Sequence, residues 1–120
     1  MKYFFDTCAI IEIIRNNSNY APYYNEEIIT SILNLGELYL ALLKEKKEKE
    51  ADEWFEKLKS CALSANPEII KDAMKFRHKN KNKNLSFIDC VGYILAREYN
   101  LIFLTGDKEF EHIENVEYVK

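Results

Sequence analysis

The N-terminal stretch Lys2 to Phe5 places the strongest constraint on the fold of this chain. Its aromatic residues favour a strand, and the strand ends directly at Asp6 and Thr7. The apolar segment Cys8 to Ile14 follows without a spacer and has the character of a helix. This order predicts a buried parallel strand with a carboxylate at its carboxyl end, where open α/β sheets bind ligands. Asp is also a preferred helix N-cap, so Asp6 alone fits a cap as well as a functional site.

The same pattern, an apolar run followed by a hydroxyl and a carboxylate, occurs again near the C-terminus. The apolar run Leu101 to Leu104 predicts a second buried strand, which Thr105, Gly106 and Asp107 follow. Both strands therefore end at a hydroxyl and a carboxylate. If the strands are parallel neighbours, their carboxyl ends share one edge of the sheet and the two acids can converge there.

A third acid lies in an apolar helical segment. The segment Ile32 to Leu43 is apolar on most of its circumference and contains one charged residue, Glu37. A buried carboxylate is costly unless it is paired or binds a cation. Alternatively, Asn34, Glu37 and Ala41 form a narrow solvated stripe on a core helix. Gly36 beside them predicts close packing of another backbone.

The fourth acid, Asp89, opens a helix predicted from Leu85 to Tyr99. Its spacing from Ser86 also fits a capping box, which is the structural alternative. Four carboxylates in one crevice would repel each other strongly without cations. Hard oxygen ligands favour Mg²⁺ or Mn²⁺, and such a site suits phosphoryl chemistry, in which the metal ion activates a water and neutralises phosphate charge.

The remaining elements complete an alternating α/β pattern. A loop is predicted from Arg15 to Tyr24, in which Tyr20 packs over the edge of the core instead of stacking on bases. A helix begins at Asn66-Pro67, with Asn as the cap and Pro at the first helical position. Shorter strands are predicted over Glu26 to Ser31, Cys61 to Ser64 and Val116 to Val119.

A basic stretch follows that helix start, from residue 75 to residue 84. One interpretation is a strip that contacts the phosphates of a nucleic acid. The alternative is a solvated loop at a helix end, where cations suit the helix dipole. The net charge of −3 argues against binding by bulk positive charge but not against a local basic strip. The cations of this stretch are Lys75, Arg77, Lys79, Lys81 and Lys83.

Length and composition indicate one globular domain over residues 1–120, with 48% hydrophobic and 31% charged residues. No apolar run is long enough to cross a membrane, and the N-terminus resembles a strand instead of a secretory signal. We therefore expect a cytoplasmic protein. Cys8, Cys61 and Cys90 lie in apolar segments without the spacing of a zinc site, and they are expected to be small buried hydrophobic residues.

Four motifs in this order resemble the PIN-domain nucleases, in particular the VapC-type toxins of toxin–antitoxin pairs, and the resemblance covers essentially the whole chain. They are Phe5-Asp6-Thr7, Asn34-x-x-Glu37, Leu85-Ser86-x-x-Asp89 and Leu104-Thr105-Gly106-Asp107-x-x-Phe110. The resemblance implies a three-layer α/β/α sandwich, Rossmann-like, with a parallel sheet of about five strands in the order 3-2-1-4-5. It also implies a metal-dependent endoribonuclease that cuts single-stranded or looped RNA.

The resemblance further assigns roles to individual residues. Asp6, Asp89 and Asp107 match the acids that hold the metal ion in the family, and Glu37 matches the fourth acid, which acts through water or a second metal ion. The hydroxyls that orient the carboxylates or the attacking water match Thr105 and Thr7, and Glu109 is a candidate for a further acid.

The expected partners are RNA, a small antitoxin protein and a second copy of the chain. Two alternatives remain open: a housekeeping RNA-processing nuclease of the same fold, and a catalytically silent RNA-binding or scaffolding domain. An aspartate-nucleophile phosphatase is disfavoured, because that chemistry needs an acid two residues after Asp6, where Cys8 stands.

Overall fold

The structure, a computed structural model, describes residues 2–120. Its elements alternate between strands and helices much as the sequence predicts. The strands are β1 (Tyr3–Phe5), β2 (Thr30–Ser31), β3 (Ala62–Leu63), β4 (Ile102–Thr105) and β5 (Val116–Tyr118). The helices are α1 (Thr7–Ile14), α2 (Ile32–Lys44), α3 (Glu48–Leu58), α4 (Pro67–Lys79) and α5 (Phe87–Glu98).

The strand pairings are parallel and fall into two groups. β1 pairs with β4 and β4 pairs with β5, whereas β2 pairs with β3. A parallel bridge between Phe4 and Ile29 joins the groups, and the backbone N–H of Phe5 donates to the carbonyl of Ile29 at 2.8 Å. The order across both groups is therefore β3-β2-β1-β4-β5, which confirms the predicted order, although β1 and β2 meet only through this bridge.

Successive residues of the central strands face opposite helical layers, as the pleat of a strand requires. Phe4 and Phe103 stack with ring centroids 5.8 Å apart and pack on the side of α4 and α5. Phe5 and Leu104 pack on the side of α1, α2 and α3. All four side chains are fully buried. The sheet is therefore covered on both faces, which confirms the three-layer α/β/α architecture.

Four helices begin at residues whose side chains accept a hydrogen bond from a backbone N–H of the first turn. Asp6 caps α1, Ser31 caps α2, Asn66 caps α4 and Ser86 caps α5. These contacts satisfy backbone donors that a helix N-terminus would otherwise leave unpaired. The caps fix where each helix leaves the sheet, and so they place the first turns of α1, α2 and α5.

Close packing of a glycine occurs in α5 and not at the glycine for which the sequence predicted it. A Cβ atom at Gly92 would lie 2.9 Å from Cε1 of Phe4, so the missing side chain lets α5 approach the sheet. Nothing lies within 4 Å of the corresponding position at Gly36. The expectation for Gly36 is wrong, because that face of α2 points into open space.

Three local predictions also need correction. The second strand is shorter than residues 26–31 and spans only Thr30–Ser31, and the loop over residues 15–24 contains a 3-10 helix, Ser18–Tyr23. Cys90 is buried as expected, but Cys8 and Cys61 are exposed.

None of the helices within residues 2–120 has the length and apolar character that crossing a membrane requires.

Candidate active site

Asp6 lies at the centre of the site, directly after β1. Its side chain is buried, with a relative exposure of 1%. One carboxylate oxygen accepts a hydrogen bond from the backbone N–H of Ala9 at 2.7 Å, and the other accepts one from the hydroxyl of Thr105. Asp6 is therefore the N-cap of α1, and its second oxygen faces β4. The cap and a role in a site are compatible, because a carboxylate has about four lone-pair positions.

Thr105 connects the two acids that follow strands. Because β1 and β4 are parallel neighbours, the end of β4 lies beside Asp6. The Thr105 hydroxyl donates to Asp6, and its oxygen accepts from the backbone N–H of Asp107 at 2.9 Å. The Asp107 carboxylate in turn accepts from the backbone N–H of Glu109 at 3.0 Å. The two strand ends thus form one hydrogen-bonded unit.

The electrostatics place the other two acids in the same region. Burial raises the pKa of Asp6 to about 8; Asp89 and Asp107 add to this rise, and the hydrogen bonds from Thr105 and Ala9 oppose it. Burial likewise raises the pKa of Asp89 to about 6, with contributions from Glu37 and Asp107. Like charges disfavour the ionised form only when they are near each other. The four acids are therefore near enough to influence one another's ionisation at this edge of the sheet.

Within residues 2–120, no three His, Cys, Asp or Glu side chains are arranged as a ready set of ligands for a metal ion. The chemistry of the donors nevertheless fits a hard divalent cation, because the four acids offer only oxygen. Each oxygen of Asp6 already accepts one hydrogen bond and retains a free lone pair. A nearby cation would favour the ionised forms of Asp6 and Asp89, whose pKa values are raised in its absence.

Asn34 belongs to a buried network that sequence analysis did not recognise. Its side-chain N–H donates to the hydroxyl of Thr7 at 3.0 Å, and its carbonyl oxygen accepts from the hydroxyl of Ser31 at 2.6 Å. Asn34 is fully buried, so the solvated stripe proposed for this helix face is wrong at this position. A lone Asn among apolar residues just after a Ser cap was the available signal. The network ties the start of α1 to the start of α2, which carries Glu37.

Glu109 is engaged with a neighbouring loop. Its Oε1 accepts a hydrogen bond from the backbone N–H of Asn84 at 2.8 Å. Asn84 immediately precedes Leu85 and Ser86, which lead into α5. Glu109 therefore connects the turn after Asp107 to the segment that positions the first turn of α5 and Asp89.

The five basic residues of the predicted strip lie along two clefts. Lys75 and Lys79, one helical turn apart on α4, line a cleft of about 450 Å³ together with Arg97. The remaining three line a second cleft of about 330 Å³ that reaches Asn84 and Leu85. Of these two clefts, only the second includes Asn84, whose backbone N–H donates to Glu109. The three cations of the second cleft are Arg77, Lys81 and Lys83.

The fold and site together define a class of three-layer α/β/α proteins in which carboxylates gather at the carboxyl ends of central parallel strands. The chain belongs to the PIN domain family, which it matches over residues 3–116. Among curated proteins, none matches this sequence.

Solved structures share this fold along nearly the whole chain. A toxin–antitoxin complex from Klebsiella pneumoniae aligns with a TM-score of 0.76 at 17% identity, covering 97% of this chain and 96% of that chain. VapC20 from Mycobacterium tuberculosis, a Sarcin-Ricin loop cleaving toxin, aligns with a TM-score of 0.75 at 15% identity, covering 99% and 100%. VapBC-1 from nontypeable Haemophilus influenzae aligns with a TM-score of 0.71 at 20% identity, covering 98% and 96%. At these identities the likeness establishes the fold alone.

Proposed function

We propose that this PIN domain is an endoribonuclease that depends on Mg²⁺ or Mn²⁺ and serves as the toxin of a type II toxin–antitoxin pair. One observation carries the proposal: Asp6 and Asp89 lie at one edge of the sheet with pKa values that burial raises first and neighbouring carboxylates raise further. Such crowding is destabilising unless protons or cations neutralise it. A site that must recruit a cation, and that lies where α/β sheets bind ligands, suits cleavage of a phosphodiester.

The residues of the chain have distinct tasks in this proposal. Asp6, Asp89 and Asp107 would hold the metal ion, and Glu37 would contribute the fourth carboxylate. When bound, the ion neutralises charge on the phosphate and lowers the pKa of a water molecule. Thr105 orients Asp6 and favours its ionised form through the hydrogen bond it donates.

Three further residues, Thr7, Asn34 and Glu109, position the elements that carry the acids. Thr7 is held by Asn34 and fixes the start of α1 relative to α2. Glu109 holds the loop before α5 through Asn84, and with it the first turn that bears Asp89. These residues hold in place the elements that carry the carboxylates, and they do not supply reacting atoms.

The assignment as a toxin is supported by the solved structures of the same fold, which include toxin–antitoxin complexes and a toxin that cleaves the sarcin–ricin loop. On this basis we propose that a small antitoxin protein holds the chain inactive. Action on RNA, a homodimer and a cytoplasmic location are proposed from the sequence and its resemblance to PIN-domain toxins. A housekeeping nuclease of the same fold would share the chemistry and lack the inhibitor.

The test of the chemistry is incubation of the purified protein with total RNA, once with Mn²⁺ and once with excess chelator. We expect cleavage only with Mn²⁺, and a loss of at least 100-fold in rate in Asp89→Asn, because each metal-binding carboxylate supports the same ion. Asp72→Asn, an exposed acid on α4, is the matched control and should cleave normally. RNA binding without cleavage by the folded protein would instead support a silent RNA-binding domain.

The test of the biological role is whether a small reading frame lies directly upstream of the gene and, where it does, co-expression of the two. A toxin arrests growth when expressed alone, and its antitoxin restores growth and co-purifies with it. Growth that is unaffected by the active protein would favour the housekeeping alternative.

A further inference from the structure

Phe87 exposes an aromatic ring in the helical turn that carries Asp89. It is the first residue of α5, directly after the cap Ser86, and its relative exposure is 39%. Helix geometry places its Cα atom about 5 Å from that of Asp89. The other exposed aromatic residues of the described chain, Tyr24 and Tyr99, lie outside this turn. The ring therefore belongs to the rim of the candidate active site.

The chain that leads into this turn forms part of a basic cleft. The second cleft, which contains Arg77, Lys81 and Lys83, reaches Leu85, two residues before Phe87. Within the described chain, no acid lines this cleft, so its positive charge is not compensated from its own wall. A cleft lined by one sign of charge concentrates ligands of the opposite sign. The second cleft therefore favours an anionic ligand such as a phosphate group.

Arg77 is held in the second cleft in a fixed orientation. Its Nε–H donates to the carbonyl of Leu85 at 3.1 Å, which ties the side chain to the segment before α5. None of the ion pairs formed within residues 2–120 includes Arg77. The bond uses only Nε, so the terminal nitrogens keep their donors, and a guanidinium binds phosphate through two parallel hydrogen bonds. Arg77 is therefore suited to a phosphate of a polyanion that lies along this cleft.

The exposed ring gains meaning from these surroundings. A single exposed apolar side chain is ordinary on a protein surface. Along the chain, however, Phe87 lies between the second cleft and Asp89, which belongs to the acids suited to a cation and its phosphate. Single-stranded nucleic acids bind where basic residues follow the backbone and aromatic rings stack on bases. The uncompensated charge of the second cleft therefore favours RNA over an apolar protein surface as the ligand at Phe87.

We propose that the ring of Phe87 stacks on a base of single-stranded RNA, while a neighbouring phosphate of the same strand lies in the second cleft at Arg77. The proposal rests on the proposed function in one respect, since it places this base beside the phosphodiester bond that is cleaved. Stacking itself requires neither the metal ion nor cleavage. Because every base has a flat π face, the contact positions the strand without selecting its sequence.

The test measures the affinity of the full-length protein, in excess chelator, for a short oligouridylate and for an abasic oligomer of the same length, which keeps the phosphates but has no bases. Phe87→Ala should bind the oligouridylate roughly fivefold more weakly or worse, and the abasic oligomer as the unmodified protein does. Phe87→Trp, which retains a stacking surface, should preserve both affinities. Tyr99→Ala is the matched control, because Tyr99 is 53% exposed at the opposite end of the same helix, and it should bind both oligomers normally.

Three results would overturn the proposal. Equal losses for the two oligomers in Phe87→Ala would show that the ring supports the second cleft and does not contact a base. Full affinity for the oligouridylate in Phe87→Leu, which is apolar but has no π face, would exclude stacking. So would the absence of oligouridylate binding by the unmodified protein. The comparison of Phe87→Leu with Phe87→Trp keeps a large apolar side chain at this position, so it decides the question even if Phe87→Ala is unstable.

The outcomes for this proposal and for the proposed function are distinguishable. If the protein cleaves RNA, Phe87→Ala should raise the KM with little change in kcat, because stacking holds the strand equally before and during the reaction. Cleavage that is lost in Asp89→Asn, together with an unchanged KM in Phe87→Ala, would contradict the stacking site alone. Base-dependent binding through Phe87 by a protein that cleaves no RNA would overturn the nuclease and leave the stacking site supported.

Discussion

The hydroxyl of Thr105 donates a hydrogen bond to the carboxylate of Asp6, a residue 99 positions earlier in the chain. The parallel pairing of β1 with β4 makes this contact possible, because it brings the ends of the two strands together. The bond opposes the effect of burial on Asp6 by favouring the ionised carboxylate. Thr105 thus adjusts the protonation of the most buried acid in the candidate site.

Replacing Thr105 with valine should therefore affect both activity and stability. Thr105→Val keeps the shape of the side chain but removes the donor to Asp6 and the acceptor for the N–H of Asp107. The pKa of Asp6 should rise further, and the acidic limb of the pH profile of cleavage should move to higher pH. The free energy of unfolding should fall by about 1–3 kcal/mol. Thr105→Ser, which retains the hydroxyl, should preserve the pH profile; equal shifts in both variants would argue against this role.

The raised pKa values predict how stability depends on pH when no metal ion is present. Both acids ionise near their ordinary value of 3.8 in the unfolded chain, but only near pH 6 for Asp89 and pH 8 for Asp6 in the folded one. Between about pH 4 and pH 8 the folded protein therefore holds more protons, so its stability falls as the pH rises. Each loss of about 1 kcal/mol should lower the Tm by roughly 4 °C.

Thermal unfolding at pH 5 and pH 8 measures this effect, and Asp6→Asn should reduce it. Mn²⁺ should raise the Tm more at pH 8 than at pH 5, because a cation stabilises the folded state through the ionised carboxylates. A Tm without metal that is higher at pH 8 than at pH 5 would contradict the prediction.

Two glycines in helices should respond to alanine in opposite ways. Gly36→Ala should stabilise the protein by up to about 1 kcal/mol, because alanine favours a helix and the space beside residue 36 is open. Gly92→Ala should destabilise it by about 1–3 kcal/mol, since the new Cβ would lie 2.9 Å from the ring of Phe4. Chemical denaturation of both variants tests the pair, and a stabilised Gly92→Ala would show that α5 can move away from the sheet.

The two basic clefts should differ in their contribution to RNA binding. Replacing Lys81 and Lys83 with alanine should weaken binding of single-stranded RNA, because their cleft includes Asn84, in the segment that leads into α5 and Asp89. At roughly 0.7 per phosphate contact, the slope of log affinity against log salt should fall by about 1.4. The matched variant, alanine at Lys75 and Lys79, removes the same charge from the other cleft and should leave the slope nearly unchanged. Equal effects in both variants would mean that charge acts without regard to position.

Local sequence patterns were sufficient to predict most of the fold. Asn66-Pro67 and Ser86 marked the starts of α4 and α5, and the apolar runs before Asp6 and Asp107 marked the central strands. These features depend on residues close together in the chain, so periodicity and caps reveal them. The order of the strands came from the resemblance to PIN domains, and the structure confirms it.

Contacts between residues far apart in the chain could not be predicted from local sequence patterns. The sequence left open that Asn34 lies on a solvated stripe, whereas the structure shows it buried and bonded to Thr7. In the sequence, the basic residues form one continuous stretch. The structure shows that α4 continues to Lys79, so Lys75 and Lys79 line one cleft and Arg77 lines the other. The close packing of the buried Tyr20 side chain against Gly106 likewise joins residues far apart in the chain.

The pairing of the first strand with β4 has a consequence for biosynthesis. On the ribosome, Asp6 is made 99 residues before Thr105, so it lacks Thr105 and Asp107 until β4 and the turn after it have been translated. The first strand has no neighbour on that side before β4 is made, so this edge of the candidate site cannot assemble earlier. The order of synthesis therefore delays the appearance of a complete acid cluster until the segment after β4 has been produced.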